Sequence, residues 1–148
     1  MGRSFSFGYG DFEDKAVYRQ VLDTVRAAAV KEQLRHSRYA VVGSRVPGFY
    51  GCMVDELRFR REIGPEIVYY SLASMLHDAK RQSAGRVEAR RKEITENYPV
   101  RIDPSMLEKN IRIELALRDY AEREGVDALT LKCWPELQEL YHCAALSE

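Results

Sequence analysis

The sequence predicts an α/β fold, a three-layer α/β/α arrangement around a small, mostly parallel sheet. Two observations carry this. Short apolar, β-branched or aromatic runs (YAVVG at 39–43, EIVYYSL at 66–72, ALTLKCW at 128–134) alternate with longer stretches whose apolar residues recur at helical spacing. Glycine and proline punctuate the joins, as in Gly64-Pro65, Asp103-Pro104 and Trp134-Pro135.

The elements follow in order. Residues 1–11 open on MGRSFSFGYG, rich in Gly and Ser without an apolar period, which reads as an arm or linker. A single α/β domain is expected over 12–148. From Phe12 to about His36, Val17, Val21, Leu22, Val25, Ala28, Ala29 and Leu34 recur at helical spacing between charges, predicting an amphipathic helix. Tyr39 to Gly43 reads as a buried strand, followed by a glycine loop. Met53 to Ile63 predicts a short helix stopped by Gly64-Pro65, and Glu66 to Leu72 a second strand. A long helix is expected from Leu72 toward Lys92. Asp103 caps the next one, with Pro104 in its first position and Leu107, Ile111, Leu115, Leu117 and Tyr120 as its apolar stripe. Gly125 ends that helix, Ala128 to Trp134 forms the third strand, and Pro135 opens a last helix.

Composition narrows the function classes. The chain has 148 residues, 45% of them hydrophobic, enough for one domain with a core. Lys+Arg and Asp+Glu both number 23, so no global field argues for a nucleic acid or an anionic membrane as partner. The cluster Lys80, Arg81, Arg86, Arg90, Arg91 and Lys92 therefore reads as a solvated helix face. Apolar runs such as Ala27 to Val30 fall far short of the ~18 residues of a membrane span, and no signal-peptide pattern opens the chain. Three cysteines, Cys52, Cys133 and Cys143, without CxxC spacing, suit reduced thiols. The cytoplasm is the expected location.

The loop VVGSRVPGFYG, Val41 to Gly51, follows the first strand. Gly43 and Gly48 have P-loop spacing, but Phe49 and Tyr50 stand where Lys and Ser/Thr would hold phosphate and Mg²⁺. A partly apolar, neutral ligand such as a sugar face suits an aromatic tip better. In open parallel sheets, ligands bind beyond the carboxyl ends of the strands, as in the Rossmann and flavodoxin-like folds. Ser44 to Gly51 and Lys132 to Gln138 would then face one crevice. Lys132, inside an apolar run, points to that crevice or to a carboxylate there, since an unpaired buried ammonium is costly. Trp134 suits core packing and sugar stacking equally.

Metal or nucleophilic chemistry finds little support. Asp55 and Glu56 are adjacent, so a helix points them about 100° apart, and the first helical turn near its positive end explains them. His36, His77 and His142 fall on separate helices without an i,i+4 ligand partner, and His142 cannot face Cys143.

The run GSRVPGFYGCMVDELRFRREIGPEIVYYSL, with its glycine loop, Val54-Asp55-Glu56 and RREIG turn, resembles the middle domain of the L-fucose isomerase and arabinose isomerase group. DALTLKCWPELQELYHC is similar to the stretch just upstream of that group's first metal-binding glutamate. The resemblance implies a ketol isomerase that interconverts aldose and ketose with Mn²⁺, acting on a monosaccharide as a homo-oligomer with shared active sites. It places Pro47, Gly48, Phe49 and Tyr50 on the loop lining the sugar pocket, and Lys132, Trp134, Glu136 and Gln138 at the strand end beside it. The group's metal ligands follow the WPELQ-like segment and find no counterpart before Glu148. The resemblance thus implies a substrate-pocket and oligomerisation domain that binds no cofactor of its own, has no catalytic or metal-binding residue, and is inactive as this chain alone. Mn²⁺ would belong to the complete enzyme. The terminal HCAALSE, an amphipathic helix still in progress, fits a fragment of such an enzyme. The alternative is a stand-alone sugar-binding or protein-interaction domain derived from that family.

Overall fold

Side-chain caps fix where most of the helices begin. In the computed structural model, which describes residues 5, 7–11 and 13–143, Asp14 accepts from Ala16 N at 2.8 Å and starts α1, Lys15–His36. The expected start at Phe12 lies outside the described residues. Asp55 accepts from Arg58 N at 2.9 Å and starts α2, Glu56–Glu62. Asp103 accepts from Ser105 N at 2.8 Å and starts α5, Pro104–Glu124, which Gly125 ends in the left-handed region at φ 63°.

The helix expected from Leu72 toward Lys92 is two helices, α3, Leu72–Lys80, and α4, Ala84–Asn97. Ser83 restarts the chain by accepting from Arg86 N at 3.4 Å. The break is held from α5, where Arg112 donates to the Gln82 carbonyl at 2.8 Å and Asp119 accepts from the Gln82 amide at 2.9 Å.

The sheet has three parallel strands in the order β2-β1-β3: β1, Arg38–Val42, β2, Glu66–Tyr70, and β3, Ala128–Leu131. The β3 strand ends earlier than the sequence suggests, although Lys132 N still donates to the Val42 carbonyl at 2.9 Å. Alternate residues face opposite ways, which defines the layers. Ala40, Val42, Tyr70 and Leu131 join Met75 of α3 and Ile113 and Leu117 of α5 in the main core. Met75 and Ile113 are fully buried, each worth about 1.5–3 kcal/mol by burial. Tyr70 stacks on Tyr120 with ring centroids 3.9 Å apart, and its hydroxyl donates to Asp78 at 2.6 Å. On the opposite face Tyr39 meets Phe59 of α2 at 6.2 Å and Tyr69 donates to Glu56. The sheet therefore has helices on both sides.

The α5 stripe read from the sequence is buried throughout, and it serves two layers. Leu107, Ile111 and Leu115 pack with Val87 of α4, whereas Leu117 and Tyr120 turn to the sheet side. The last helix, α6, Glu136–Tyr141, ends where His142 turns left-handed at φ 51°, and it buries Leu137 and Tyr141 in the main core. The continuation through Ala144–Glu148 lies outside the described residues. By contrast, α1 buries no residue along 22 positions, and Tyr18, Val21, Val25 and Val30 are exposed.

The basic cluster is largely neutralised. Arg86 meets Asp119 at 2.7 Å, Arg90 meets Glu114 at 2.8 Å, Arg91 meets Glu88 at 2.7 Å and Lys92 meets Glu96 at 3.8 Å. Hydrogen bonds from Arg86 are the main reason the Asp119 carboxyl is lowered to about 2. A carboxyl depressed in the folded state stabilises the protein above its unfolded value and loses that contribution as pH falls through the folded one. Between pH 4 and pH 2, therefore, the wild type should lose more stability than Asp119→Asn, measured by urea unfolding across that range. Parallel pH profiles would remove this role.

Candidate functional site

The loop after β1 is shaped by one glycine. Gly43 sits at φ +90°, and a Cβ there would lie 3.0 Å from Lys132 Cβ. Its N–H donates to the Tyr70 carbonyl at 2.8 Å, so the chain stays paired to β2 while turning over the sheet edge. Beyond it opens a cleft of about 630 Å³, lined by the strand ends Val41, Val42, Thr130 and Leu131, by Gly43 to Val46, by Cys52 to Val54, and by Tyr69 and Lys132. This is the carboxyl end of the parallel strands, where such sheets hold their ligands. Clefts of about 420 and 380 Å³ elsewhere are lined by arginines already engaged, such as Arg86 with Asp119 and Arg112 with Glu108.

Lys132 is the chemical centre of the cleft. Its side chain is 6% exposed, and its ammonium donates to Glu136 and, at 3.3 Å, to Ser44 Oγ. The buried cation thus meets a carboxylate, as its place in an apolar run requires. Hydrogen bonding from Lys132 lowers the Glu136 carboxyl below its ordinary value. The second oxygen of Glu136, Oε2, is buried and has no hydrogen-bond partner among the described residues. Such an acceptor is costly to leave unmet and is suited to a hydroxyl donor.

Of the eight residues expected at a sugar pocket, Lys132 lines the cleft and Glu136 touches it through Lys132. Tyr50 reaches it through Arg45, whose guanidinium lies 4.5 Å from the centre of the tyrosine ring. Pro47, Gly48 and Phe49 are exposed on the same loop, Gly48 at φ +83°. Trp134 is 51% exposed at the strand end rather than packed beneath α6, and Gln138 is exposed on α6 itself. Ser44 and Arg45 lie in the segment expected to face the crevice, but neither is among the residues singled out there. They sit in the quoted loop, and the signal was their position directly after a glycine at a strand end.

Among the described residues no three His, Cys, Asp or Glu side chains gather as a metal ion requires. The side chains of the described residues therefore do not fit a Mn²⁺ site. His36 does have an acidic neighbour one turn away, Glu32 at 3.1 Å, contrary to the spacing argument, but the pair is exposed and Glu32 also meets Arg35 at 3.9 Å. Cys143 is buried, which pushes its thiol up. No helix among the described residues is long and apolar enough to cross a membrane.

The chain is a small α/β domain whose parallel sheet opens on a cleft at its carboxyl edge. Comparison with known proteins sharpens that class. The chain is 24% identical over 147 residues to the sulfoquinovose isomerase of Alkalicoccus urumqiensis, covering 97% of this chain and 32% of that protein. It is 21% identical over 136 residues to the sulfoquinovose isomerases of Priestia aryabhattai and Priestia megaterium, covering 89% of this chain and 30% of each. No protein-family model matches. The chain is thus a distant relative of sugar isomerases and spans about a third of the length of the curated relatives it matches.

Proposed function

We propose that this chain is the substrate-pocket and oligomerisation domain of a metal-dependent aldose–ketose isomerase, with the proton-transferring chemistry and the metal supplied by other sequence. The observation that carries it is the cleft at the strand ends, in a chain that aligns over nearly its whole length with sugar isomerases. The relatives' substrate makes sulfoquinovose the first sugar to test and L-fucose the second. Lys132 would donate to a sugar hydroxyl, and Glu136 Oε2 would accept from one, filling the acceptor that is otherwise unmet. The open rings of Phe49 and Trp134 offer stacking surfaces for the apolar face of a pyranose. The exposed apolar side chains of α1 support the oligomeric part of the reading. Its free cysteines suit a reducing compartment such as the cytoplasm.

Calorimetric titration of the chain with each sugar, followed by product analysis after incubation with Mn²⁺, tests this. Saturable binding without ketose is expected, together with a sedimentation mass that is a multiple of 17.1 kDa. Ketose formed by the chain alone, or no sugar bound, contradicts it.

A further inference from the structure

Two segments 88 positions apart bring a hydroxyl, an amine and a carboxylate into one chain of contacts inside the cleft. Ser44 follows Gly43, which turns the chain over the sheet edge at φ +90°, so its hydroxyl stands exposed at the carboxyl end of β1. A serine lifted off a strand end by a tight turn is how α/β hydrolases present a nucleophile. Behind it lies Lys132, with Nζ 3.3 Å from Ser44 Oγ, and Glu136 holds the same ammonium from the other side. A nucleophile in reach of a base, and a base held by a third group, is the arrangement that activates a serine. At rest Lys132 donates in both bonds. Its side chain is 6% exposed, and burial disfavours a charged pair, so passing a proton to Glu136 leaves a neutral amine that can accept from the Ser44 hydroxyl. Arg45, next in the chain, lines the same cleft and meets no carboxylate among the described residues, which leaves a cation for the charge a carbonyl oxygen takes up. Val46, Met53, Val54 and Leu131 give the cleft an apolar wall suited to a short acyl chain.

We propose that Ser44 and Lys132, with Glu136 as the residue that positions Lys132, form an acyl-transfer site that hydrolyses short-chain carboxylic esters, O-acylated sugars among them. The sugar part rests on reading the cleft as a sugar pocket. Ser44 Oγ bonds to the ester carbonyl carbon as its proton passes to Lys132 Nζ, the bond from that carbon to the alcohol oxygen breaks, and the departing oxygen takes the proton. Water then adds to the acyl-serine, releasing the carboxylic acid and restoring the hydroxyl.

The test measures hydrolysis of p-nitrophenyl acetate and of an O-acetylated methyl glucoside by wild type, Ser44→Ala, Lys132→Arg and Glu136→Gln, each checked for fold by circular dichroism. An alkyl fluorophosphonate, located by peptide mass spectrometry, reports the nucleophile. It should label Ser44, and kcat/KM for both esters should fall about 100- to 10,000-fold in Ser44→Ala and in Lys132→Arg, which keeps a cation facing Glu136 but does not give up its proton. The charged and titratable groups around Lys132 are Glu136 of α6, Arg45 and Cys52 of the loop and Tyr69 of β2. Glu136→Gln should move the rise of rate with pH to lower pH, because an amine without its carboxylate gives up a proton more readily, a shift that lost packing alone would not produce. Turnover of p-nitrophenyl acetate through Ser44, with the glucoside neither cleaved nor bound, keeps the acyl-transfer site while the sugar reading falls. Neither ester turned over, with sulfoquinovose still bound in calorimetry, overturns the proposal and leaves the sugar pocket standing. Undiminished turnover in a folded Ser44→Ala protein, or label on another residue, also overturns it.

Discussion

Glu136→Leu should cost about 3–5 kcal/mol of stability, because it leaves the Lys132 ammonium, 6% exposed, with Ser44 Oγ at 3.3 Å as its remaining partner. The asymmetry matters more than the size. Taking both charges out of water carries its own penalty, so Lys132→Met combined with Glu136→Leu should recover most of the loss. Urea unfolding of the two single variants and the double variant forms a thermodynamic cycle with a large favourable coupling. The pair also sets a pH dependence. The Glu136 carboxyl is lowered, so its contribution is complete above the ordinary carboxylate range and fades as pH falls through the depressed value. Additive single and double variants would mean the two side chains do not act as one unit.

Gly64→Ala carries the second large effect. Gly64 has φ +121°, and an added Cβ would lie 2.6 Å from the Cα of Arg35, a backbone atom at the end of α1 that cannot swing aside. Strain in the left-handed region and overpacking each cost about 1–3 kcal/mol, so the sum should reach about 2–5 kcal/mol. Two other glycines calibrate the series. Gly125 also has a positive φ, +63°, but nothing within 4 Å, so its alanine variant should cost about 1–2 kcal/mol. Gly85, early in α4 with open space around it, should gain up to about 1 kcal/mol as alanine. Equal unfolding midpoints for the Gly64 and Gly125 variants would show that α1 does not pack on this turn as described.

Much of this architecture was legible in the residues. The apolar runs at 39–43, 66–72 and 128–134 mark three strands of a parallel sheet, though not their order, and Asp103-Pro104 marks the start of α5. Where the reading slipped, a local signal competed with a longer one. The helical period from Leu72 to Lys92 runs across residues 81–83, and Ser83, a good cap, was passed over because the period did not change there. The β3 run was extended to Trp134 because apolar content says nothing about where a neighbouring strand ends. Helical spacing predicted α1 as an amphipathic helix, but its apolar side is not buried, because burial needs a partner element, which periodicity cannot supply.

The site was partly legible for the same reason. The loop and strand end could be named as segments, and Lys132 could be assigned a carboxylate, because both follow from local rules. That Ser44 joins Lys132 across 88 positions, and that Arg45 stays unmatched by any carboxylate among the described residues, depends on tertiary placement and left no mark in the spacing.

The central claim, that the cleft beyond the strand ends is where a sugar sits, is tested most directly by ¹H–¹⁵N NMR titration of the chain with sulfoquinovose. Saturable shifts gathered on Gly43, Ser44, Cys52, Thr130 and Lys132 are predicted. Shifts gathered instead on Val87, Glu88 and Glu108, which line the cleft between α4 and α5, or none at millimolar sugar, would contradict it.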